Sequence, residues 1–262
     1  MNFMSIASGS SGNCLFVGSK SANILIDAGI SCKKICEGLS IADTSPEDID
    51  AILITHEHVD HIKGIEVFQK KYHTKIYTTK GTYLQLKKKR MELDDELFNE
   101  IEAGVDFRIG GFLIHPFSTL HDVVDPVCYT VTDGTGKLSM LTDTGNYTEE
   151  MKKSMMNSNI LYIESNHDEN MLMAGSYSYQ VKMRVISDSG HLSNERAAEL
   201  INGLLWKGLK CIFLGHLSEE NNMPALADIT TRSMLDEEWK YQTDEPELIV
   251  AGHYAPSKII EL

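Results

Sequence analysis

The densest group of potential metal ligands in this chain is the segment Thr55-His56-Glu57-His58-Val59-Asp60-His61. It follows directly on the apolar run Ala51 to Ile54, which predicts a strand. Imidazole and carboxylate are ligand types that zinc, manganese and iron share in proteins. At a strand end, the first two histidines can point one way while the Asp60-His61 pair reaches a second point beside it. The segment therefore predicts a metal site.

Three further candidate ligands each follow a later predicted strand. His121 comes after FLIHPFSTL, Asp143 ends KLSMLTDTG, and His216 ends LKCIFLGH. Loops at the carboxyl ends of strands often gather to form sites. A site that holds two ions about 3.5–4 Å apart needs more ligands than the His-rich segment supplies. We therefore predict that these three residues complete one two-metal site.

The order of these segments resembles that of the metallo-β-lactamase-fold hydrolases. The motifs that carry the resemblance are L-I-D-A-G at Asp27, T-H-x-H-x-D-H, the lone His121, T-D-T-G at Asp143 and G-H at His216. They span most of the chain. The resemblance implies an α/β fold of the four-layer αββα type, with two central mixed β-sheets.

The same resemblance implies two divalent metal ions per chain and a role for each ligand. His56, His58 and His121 would hold one ion, Asp60, His61 and His216 the other, and Asp143 would bridge them. Asp27 would support the ligands without binding metal. Zn²⁺ is favoured, and Mn²⁺ or Fe is also compatible with this mixture of His and Asp.

Further segments, one near the start of the chain and the others in its second half, narrow the resemblance to nucleic-acid phosphodiesterases. Gly190-His191-Leu192-Ser193-Asn194 and Leu214-Gly215-His216-Leu217-Ser218 are similar to the paired histidine segments of ribonuclease Z, where the first His assists proton transfer to the leaving group. SGSSGNC, ESNHD, GHLSN and HLSEENN resemble the YycJ/WalJ group, regarded as DNA exonucleases. The resemblance implies a metal-dependent phosphodiesterase acting on nucleic acid, with DNA favoured.

The expected chemistry divides between the ions and two side chains. Two divalent cations supply hydroxide near neutral pH and neutralise a phosphate oxygen. Asp60 would orient or deprotonate the nucleophile, and His191 would donate a proton to the departing oxygen. The alternatives are an ester, thioester or lactone hydrolase and a ribonuclease Z-like RNA phosphodiesterase. His191 argues against the ester hydrolase, since protonation matters most where an alkoxide leaves.

Three more residues are candidates for support of the ligands or for substrate contact. Ser11 and Asn13 lie in the Gly/Ser-rich segment Ser8 to Cys14, whose amides could face a phosphate or form a tight turn. His167 follows a predicted strand and has either a substrate contact or a purely structural role.

Strands and helices alternate along much of the chain, which favours sheets covered by helices. Between Phe107 and Leu141 the predicted strands run consecutively, and this indicates an antiparallel stretch. No linker or repeat divides the sequence, so we predict one domain over 1–262. The predicted helices are Lys33 to Leu39, Gly64 to Tyr72, Thr82 to Arg90, Tyr147 to Asn157, Asn194 to Trp206 and Ala225 to Leu235.

Composition places limits on compartment and partners. The 262-residue chain carries a formal charge of −14, which argues against a surface that binds nucleic acid throughout. One local exception is the Lys87 to Arg90 run, either a phosphate-binding patch or a solvated helix face. The five scattered cysteines, and the lack of a signal peptide or an apolar run of membrane-spanning length, predict a cytoplasmic protein without membrane contact. The oligomeric state is left open.

Overall fold

Fourteen strands, nine α-helices and two 3₁₀ helices, Pro46–Asp48 and Asp95–Leu97, are present in the computed structural model, which describes residues 1–235 and 245–262. The strands are β1 (Asn2–Ala7), β2 (Cys14–Gly18), β3 (Asn23–Ile26), β4 (Ala51–Leu53), β5 (Lys75–Thr79), β6 (Phe98–Ile101), β7 (Phe107–Ile109), β8 (Phe112–Ser118), β9 (Val127–Thr132), β10 (Lys137–Leu141), β11 (Ile160–Glu164), β12 (Cys211–Gly215), β13 (Glu247–Val250) and β14 (Ile260–Glu261). The helices are α1 (Cys32–Ile41), α2 (Val59–Ile62), α3 (Ile65–Tyr72), α4 (Lys80–Lys88), α5 (Glu149–Met155), α6 (Glu169–Ala174), α7 (Tyr179–Ile186), α8 (Asn194–Asn202) and α9 (Pro224–Met234).

The strands form two mixed sheets. The first has the order β14-β1-β2-β3-β4-β5-β6 and the second β13-β12-β11-β10-β9-β8-β7. Within the first, β3, β4, β5 and β6 are parallel neighbours, and within the second β10 to β13 are parallel. β7, β8 and β9 pair antiparallel, which confirms the antiparallel stretch predicted after Phe107. The predicted α/β fold with two mixed sheets is therefore confirmed.

The chain divides into two compact units. Unit 1 comprises Met1–Ser118, Val123–Thr135 and Gly252–Leu262, and unit 2 comprises Thr119–Asp122 and Gly136–Ala251. Unit 1 thus contains β1 to β9, β14 and α1 to α4, and unit 2 contains β10 to β13 and α5 to α9. The single domain over 1–262 stays a prediction.

Buried apolar strands position the candidate ligands in both units. Every residue of β11 and β12 is buried, as parallel strands require when both sheet faces are covered. In unit 1, the core packs Leu25 of β3 and Ile52 of β4 against Phe68 of α3. These strands end just before the polar segments that the sequence marks as candidate ligands.

Most helices begin after a side chain that caps their first turn. Ser31, Thr79, Ser178 and Ser193 each accept a hydrogen bond from a backbone N–H three residues later, as do Thr148 and Asp168. Such caps stabilise a helix start by about 1 kcal/mol. They explain why short polar segments of this chain are helical.

Three of the α-helices, α2, α6 and α7, were not predicted from the sequence. α2 has only four residues, too few to show a helical period, and lies inside the His-rich segment. α6 is also short, and α7 has no buried residue, so neither shows an apolar stripe facing a core. Tyr177 and Tyr179 alternate as in a strand, but Ser178 caps α7, and Tyr179 is its first residue.

The helices in the described part of the chain include none with both the length and the apolar character needed to cross a bilayer.

Candidate metal centre

In unit 1 a buried carboxylate orients one candidate ligand. Asp27 follows β3, and its carboxylate accepts hydrogen bonds from the backbone N–H and hydroxyl of Thr55, both at 2.9 Å. Its Oδ2 also lies 2.7 Å from Nδ1 of His61. A carboxylate at Nδ1 fixes the ring and leaves Nε2 as the donor atom for a metal. Asp27 thus lies where the sequence places a supporting residue.

The neighbouring imidazoles of unit 1 are close together. The His56 ring centroid lies 4.7 Å from that of His58 and 4.2 Å from that of His61. His56 and His61 are buried, whereas His58 and Asp60 are partly exposed. His58 immediately precedes α2 without a capping side-chain hydrogen bond, and Asp60 lies in the first turn, so this short helix brings His61 back beside His56.

The Gly/Ser-rich loop of unit 1 contacts this group through Asn13. Its Nδ2 lies 3.3 Å from Asp60 Oδ2 and 3.1 Å from His61 Nε2, while its Oδ1 accepts from Gly9 N–H at 2.9 Å. Ser11 lies exposed in the turn of the same loop. The loop therefore forms a tight turn whose Asn13 side chain reaches two candidate ligands.

In unit 2 three carboxyl-terminal strand ends carry the candidate groups. β10, β11 and β12 are parallel, with Leu141 opposite Ile163 and Glu164 opposite Gly215. Asp143, Glu164 and His216 therefore emerge at one edge of the sheet. Asp143, Glu164, His191 and His216 each offer one ligand atom, and these atoms lie within 4.8 Å of one another.

Glu164 is the functional residue that the sequence analysis did not single out. Its Oε1 lies 2.7 Å from Nδ1 of His191 and 2.7 Å from Nδ1 of His216, and it is completely buried. Both rings are thereby oriented with Nε2 as the remaining donor or proton site. The signal in the sequence is an acidic residue ending an apolar strand, inside the ESNHD segment.

The protonation states of Glu164 and His191 follow from the same contacts. Burial alone would raise the pKa of Glu164, but the adjacent His191 charge and the hydrogen bonds from His191 and His216 bring it down to about 2. Burial would lower the pKa of His191, but the Glu164 carboxylate outweighs it and raises that pKa. The pair favours an anionic Glu164 beside a protonated His191.

His121 is the third imidazole near Asp143, after His191 and His216. Its Nδ1 lies 3.1 Å from the carbonyl oxygen of Ser189, an acceptor, and its Nε2 lies 3.7 Å from Asp143 Oδ1. The His191 ring centroid lies 5.3 Å from that of His121 and 5.3 Å from that of His216. His121 thus presents Nε2 toward the carboxylate that the sequence predicts to bridge two ions.

The backbone is strained at three candidate residues. Asp27, Asp143 and His216 have φ values of 61°, 54° and 55°. This left-handed region costs a residue with a side chain on the order of 1–2 kcal/mol. Such strain persists where surrounding structure holds it, and it is common at functional sites.

The donor set of each unit fits a divalent metal ion. Unit 1 supplies His56, His58, Asp60 and His61, and unit 2 supplies His121, Asp143 and His216. Imidazole nitrogens whose other nitrogen is hydrogen-bonded, together with carboxylates, suit zinc, manganese and iron. No cysteine belongs to a metal-ligand cluster within the described residues.

His167 is buried beside the start of α8. It forms an isolated parallel bridge with Ser193, and its carbonyl oxygen accepts from Asn194 N–H at 2.9 Å. Burial lowers the pKa of its ring to about 4. The backbone contacts of His167 are structural, and a substrate contact through its neutral ring stays a prediction.

Solved structures with the same fold support the expected class. A metallo-β-lactamase-fold protein, YhfI from Bacillus subtilis, matches with a TM-score of 0.74 and 18% identity, covering 99% of each chain. The short form of human tRNase Z matches with a TM-score of 0.65 and 14% identity, covering 100% of each chain. These likenesses define the fold as that of the metallo-β-lactamases.

Sequence comparisons define the family of this chain more narrowly. A family model described as a β-lactamase superfamily domain matches residues 22–210. Exodeoxyribonuclease WalJ of Streptococcus pneumoniae serotype 2 (strain D39 / NCTC 7466) is 39% identical over 232 residues, covering 88% of this chain and 86% of the relative. Exodeoxyribonuclease YycJ of Bacillus anthracis is 35% identical over 237 residues, covering 90% of each. The chain belongs to the β-lactamase superfamily as a metallo-β-lactamase-fold protein of the YycJ/WalJ type, a metal-dependent hydrolase.

Proposed function

We propose that this protein is an exonuclease that hydrolyses phosphodiester bonds of DNA with two divalent ions per chain. The observation that carries the proposal is its similarity, over about nine-tenths of its length, to relatives named exodeoxyribonucleases. The ligand types of both units agree with it.

In this proposal His56, His58 and His121 hold one ion, Asp60, His61 and His216 hold the other, and Asp143 contacts both. Zn²⁺ is the favoured ion, with Mn²⁺ or Fe as alternatives. Divalent ions held by these ligands would supply an activated water and positive charge beside a phosphate oxygen. The resemblance in motif order supports the division of ligands.

Three side chains have proposed roles in proton transfer. Asp60 orients the attacking water and accepts its proton. His191 donates a proton to the departing oxygen, a role supported by the Glu164 carboxylate that lies against its ring. Glu164 is a positioning residue, since its Oε1 lies 2.7 Å from Nδ1 of His191 and holds the ring charged.

The supporting residues fall into two groups. Asp27 orients His61, and Asn13 lies beside both Asp60 and His61. Ser11 and His167 are proposed to contact substrate. All five cysteines lie in the described residues as thiols, and this supports a cytoplasmic location.

The test is hydrolysis of end-labelled duplex DNA, single-stranded DNA and RNA by protein loaded with zinc or manganese. An Asp60→Ala variant should lose DNA shortening, whereas the matched controls Asp106→Ala and His115→Ala should retain it, since those two residues pair with each other on an exposed surface. RNA cleavage alone would favour a ribonuclease Z-like enzyme. Rapid turnover of esters, thioesters or lactones without any nucleic-acid cleavage would overturn the proposal.

A further inference from the structure

A polar cavity of about 240 Å³ lies within unit 2 beside His191. The lining residues that matter here are His167, Glu169, Asp188, His191, Ser193 and Arg196. Its volume is smaller than the roughly 300–1,000 Å³ of pockets for drug-sized ligands. The cavity therefore has room for one group of about the size of a nucleoside.

His167 lines this cavity and has an unused hydrogen-bonding atom that is closed to solvent. The residue is 1% exposed, and its Nδ1 has no hydrogen-bond partner among the described residues. A buried polar atom without a hydrogen bond is destabilising. A ligand that hydrogen-bonds to Nδ1, once the ring turns this atom toward the cavity, would remove the destabilisation.

The cavity is lined by charges of both signs. Glu169 and Asp188 contribute two carboxylates, Arg196 contributes a guanidinium, and the imidazole of His191 forms a further wall. Arg196 Nη2 donates to Asn146 Oδ1 at 2.5 Å, and Asn146 Nδ2 donates to Asp188 Oδ1 at 3.0 Å. Guanidinium and hydroxyl donors beside carboxylate acceptors match a neutral group rich in both, such as a nucleobase on its sugar, better than a phosphate.

The position of His191 indicates which part of a substrate would enter the cavity. Its Nδ1 is held by Glu164, and its ring is one wall of the cavity. A leaving group whose oxygen receives a proton from His191 therefore extends beyond the His191 ring into the cavity. We propose that the cavity binds the nucleoside that departs from the scissile phosphate, with His167 Nδ1 hydrogen-bonded to it; this inference rests on the proposed DNA phosphodiesterase activity.

Binding can be measured without catalysis. Full-length metal-loaded protein with ¹⁵N-labelled histidine is titrated with deoxyadenosine, with thymidine and, as a control, with inorganic phosphate. The ring resonances of His167 should shift and saturate with a nucleoside but not with phosphate. The inference is overturned if neither nucleoside shifts them, whether or not the protein cleaves DNA.

Two variants at His167 sharpen the test. An Asn amide lies near the position of Nδ1 and a Gln amide near that of Nε2, so His167→Asn should retain nucleoside affinity. His167→Gln should weaken it about fivefold to tenfold, the equivalent of one hydrogen bond. Equal affinities of the two variants would contradict the role of Nδ1. Ile186→Trp, at a cavity-lining position that is 40% exposed, should abolish nucleoside binding without a folding defect.

A kinetic measurement ties the cavity to the leaving side. Dinucleotides with an abasic sugar on one or the other side of the phosphate are compared by kcat/KM. In the wild type, removal of the base on the leaving side should lower kcat/KM about tenfold. In His167→Gln, which already lacks the contact to this nucleoside, removal of the same base should lower kcat/KM little further. Equal effects on both sides would overturn the inference. Absence of all DNA cleavage would instead count against the proposed function, while the titration still decides the cavity.

Discussion

At the scale of single residues, Glu164 connects the candidate metal ligands of unit 2 to the proposed proton donor. One carboxylate oxygen lies 2.7 Å from Nδ1 of both His191 and His216. The same carboxylate also accepts backbone N–H groups from Thr144 and Leu192, each at 3.2 Å. Because it is buried and has four contacts, it holds both rings in one orientation.

Loss of the proton donor should depend on the leaving group. His191→Ala should lower kcat on DNA by about 100-fold or more, a common contribution of general acid catalysis. On a phosphodiester with a nitrophenolate leaving group, which needs no proton, the loss should stay below about tenfold.

Glu164→Gln should show the same selective pattern, because it removes the charge that keeps His191 protonated. Metal content measured on each variant separates this effect from loss of ligands. Equal losses on both substrates, or full activity of His191→Ala on DNA with metal content unchanged, would contradict the roles of His191 and Glu164.

His167 should also make stability depend on pH. Its folded pKa is about 4 against an ordinary value of 6.5, so the unfolded chain binds a proton first as pH falls. Stability from this group is therefore complete above about pH 6.5 and is lost as pH falls toward 4. The loss should approach roughly 3 kcal/mol. Urea unfolding between pH 7 and pH 4 should show this loss in the wild type and not in His167→Asn; parallel curves for both proteins would contradict it.

At the scale of elements, α2 is placed by contacts with the segment before β2 and the segment after β3. Asn13 N–H and Ala28 N–H donate to the carbonyl oxygens of Asp60 and His61, at 2.7 and 2.8 Å. Gly29 lies under the same helix, and a Cβ there would come within 1.6 Å of the Asp60 carbonyl oxygen. The close approach requires glycine at this position.

Gly29→Ala should displace α2 and weaken the metal ligands it carries. We expect a loss of about 1–3 kcal/mol in unfolding free energy, as for other overpacked sites, together with reduced metal content. Gly203→Ala is the matched control, since the close contacts of its Cβ would be with the flexible end of Lys152, and the Leu200 carbonyl oxygen would lie at an ordinary 3.5 Å. Denaturant unfolding and elemental analysis measure both effects. Unchanged metal content in a folded Gly29→Ala protein would show that α2 tolerates the shift.

At the scale of the whole molecule, a net negative charge is combined with one basic run, Lys87 to Arg90. The formal charge is −14, yet Lys88, Lys89 and Arg90 are exposed at the end of α4. Lys87 instead donates to Leu93 O at 3.0 Å and pairs with Asp95. The basic run is therefore partly engaged within unit 1, and whether it binds phosphate stays a prediction.

Metal removal should destabilise the protein as a whole. An ion present at 100 times its Kd adds about 2.7 kcal/mol to stability, which corresponds to roughly 5–10 °C in Tm for a chain of this size. Chelation should lower Tm by that amount, and added zinc should restore it. His58→Ala and His216→Ala should each reduce the response, whereas His115→Ala should behave as the wild type. An identical Tm with and without chelator would count against a resident ion.

The sequence by itself determined the fold class, the family and the candidate ligands, because each His or Asp lies in a short motif at the end of an apolar strand. The parallel strands of unit 2 confirm why such ends converge: Asp143, Glu164 and His216 leave β10, β11 and β12 at one edge. Only the tertiary structure identified Glu164 as the partner of two histidines, since their separations of 27 and 52 residues leave no local pattern. It also decided the helical state of α7, where Ser178 caps a segment whose alternating apolar residues resemble a strand. Local periodicity records burial on one face, whereas caps and long-range hydrogen bonds depend on contacts that form only when the chain folds.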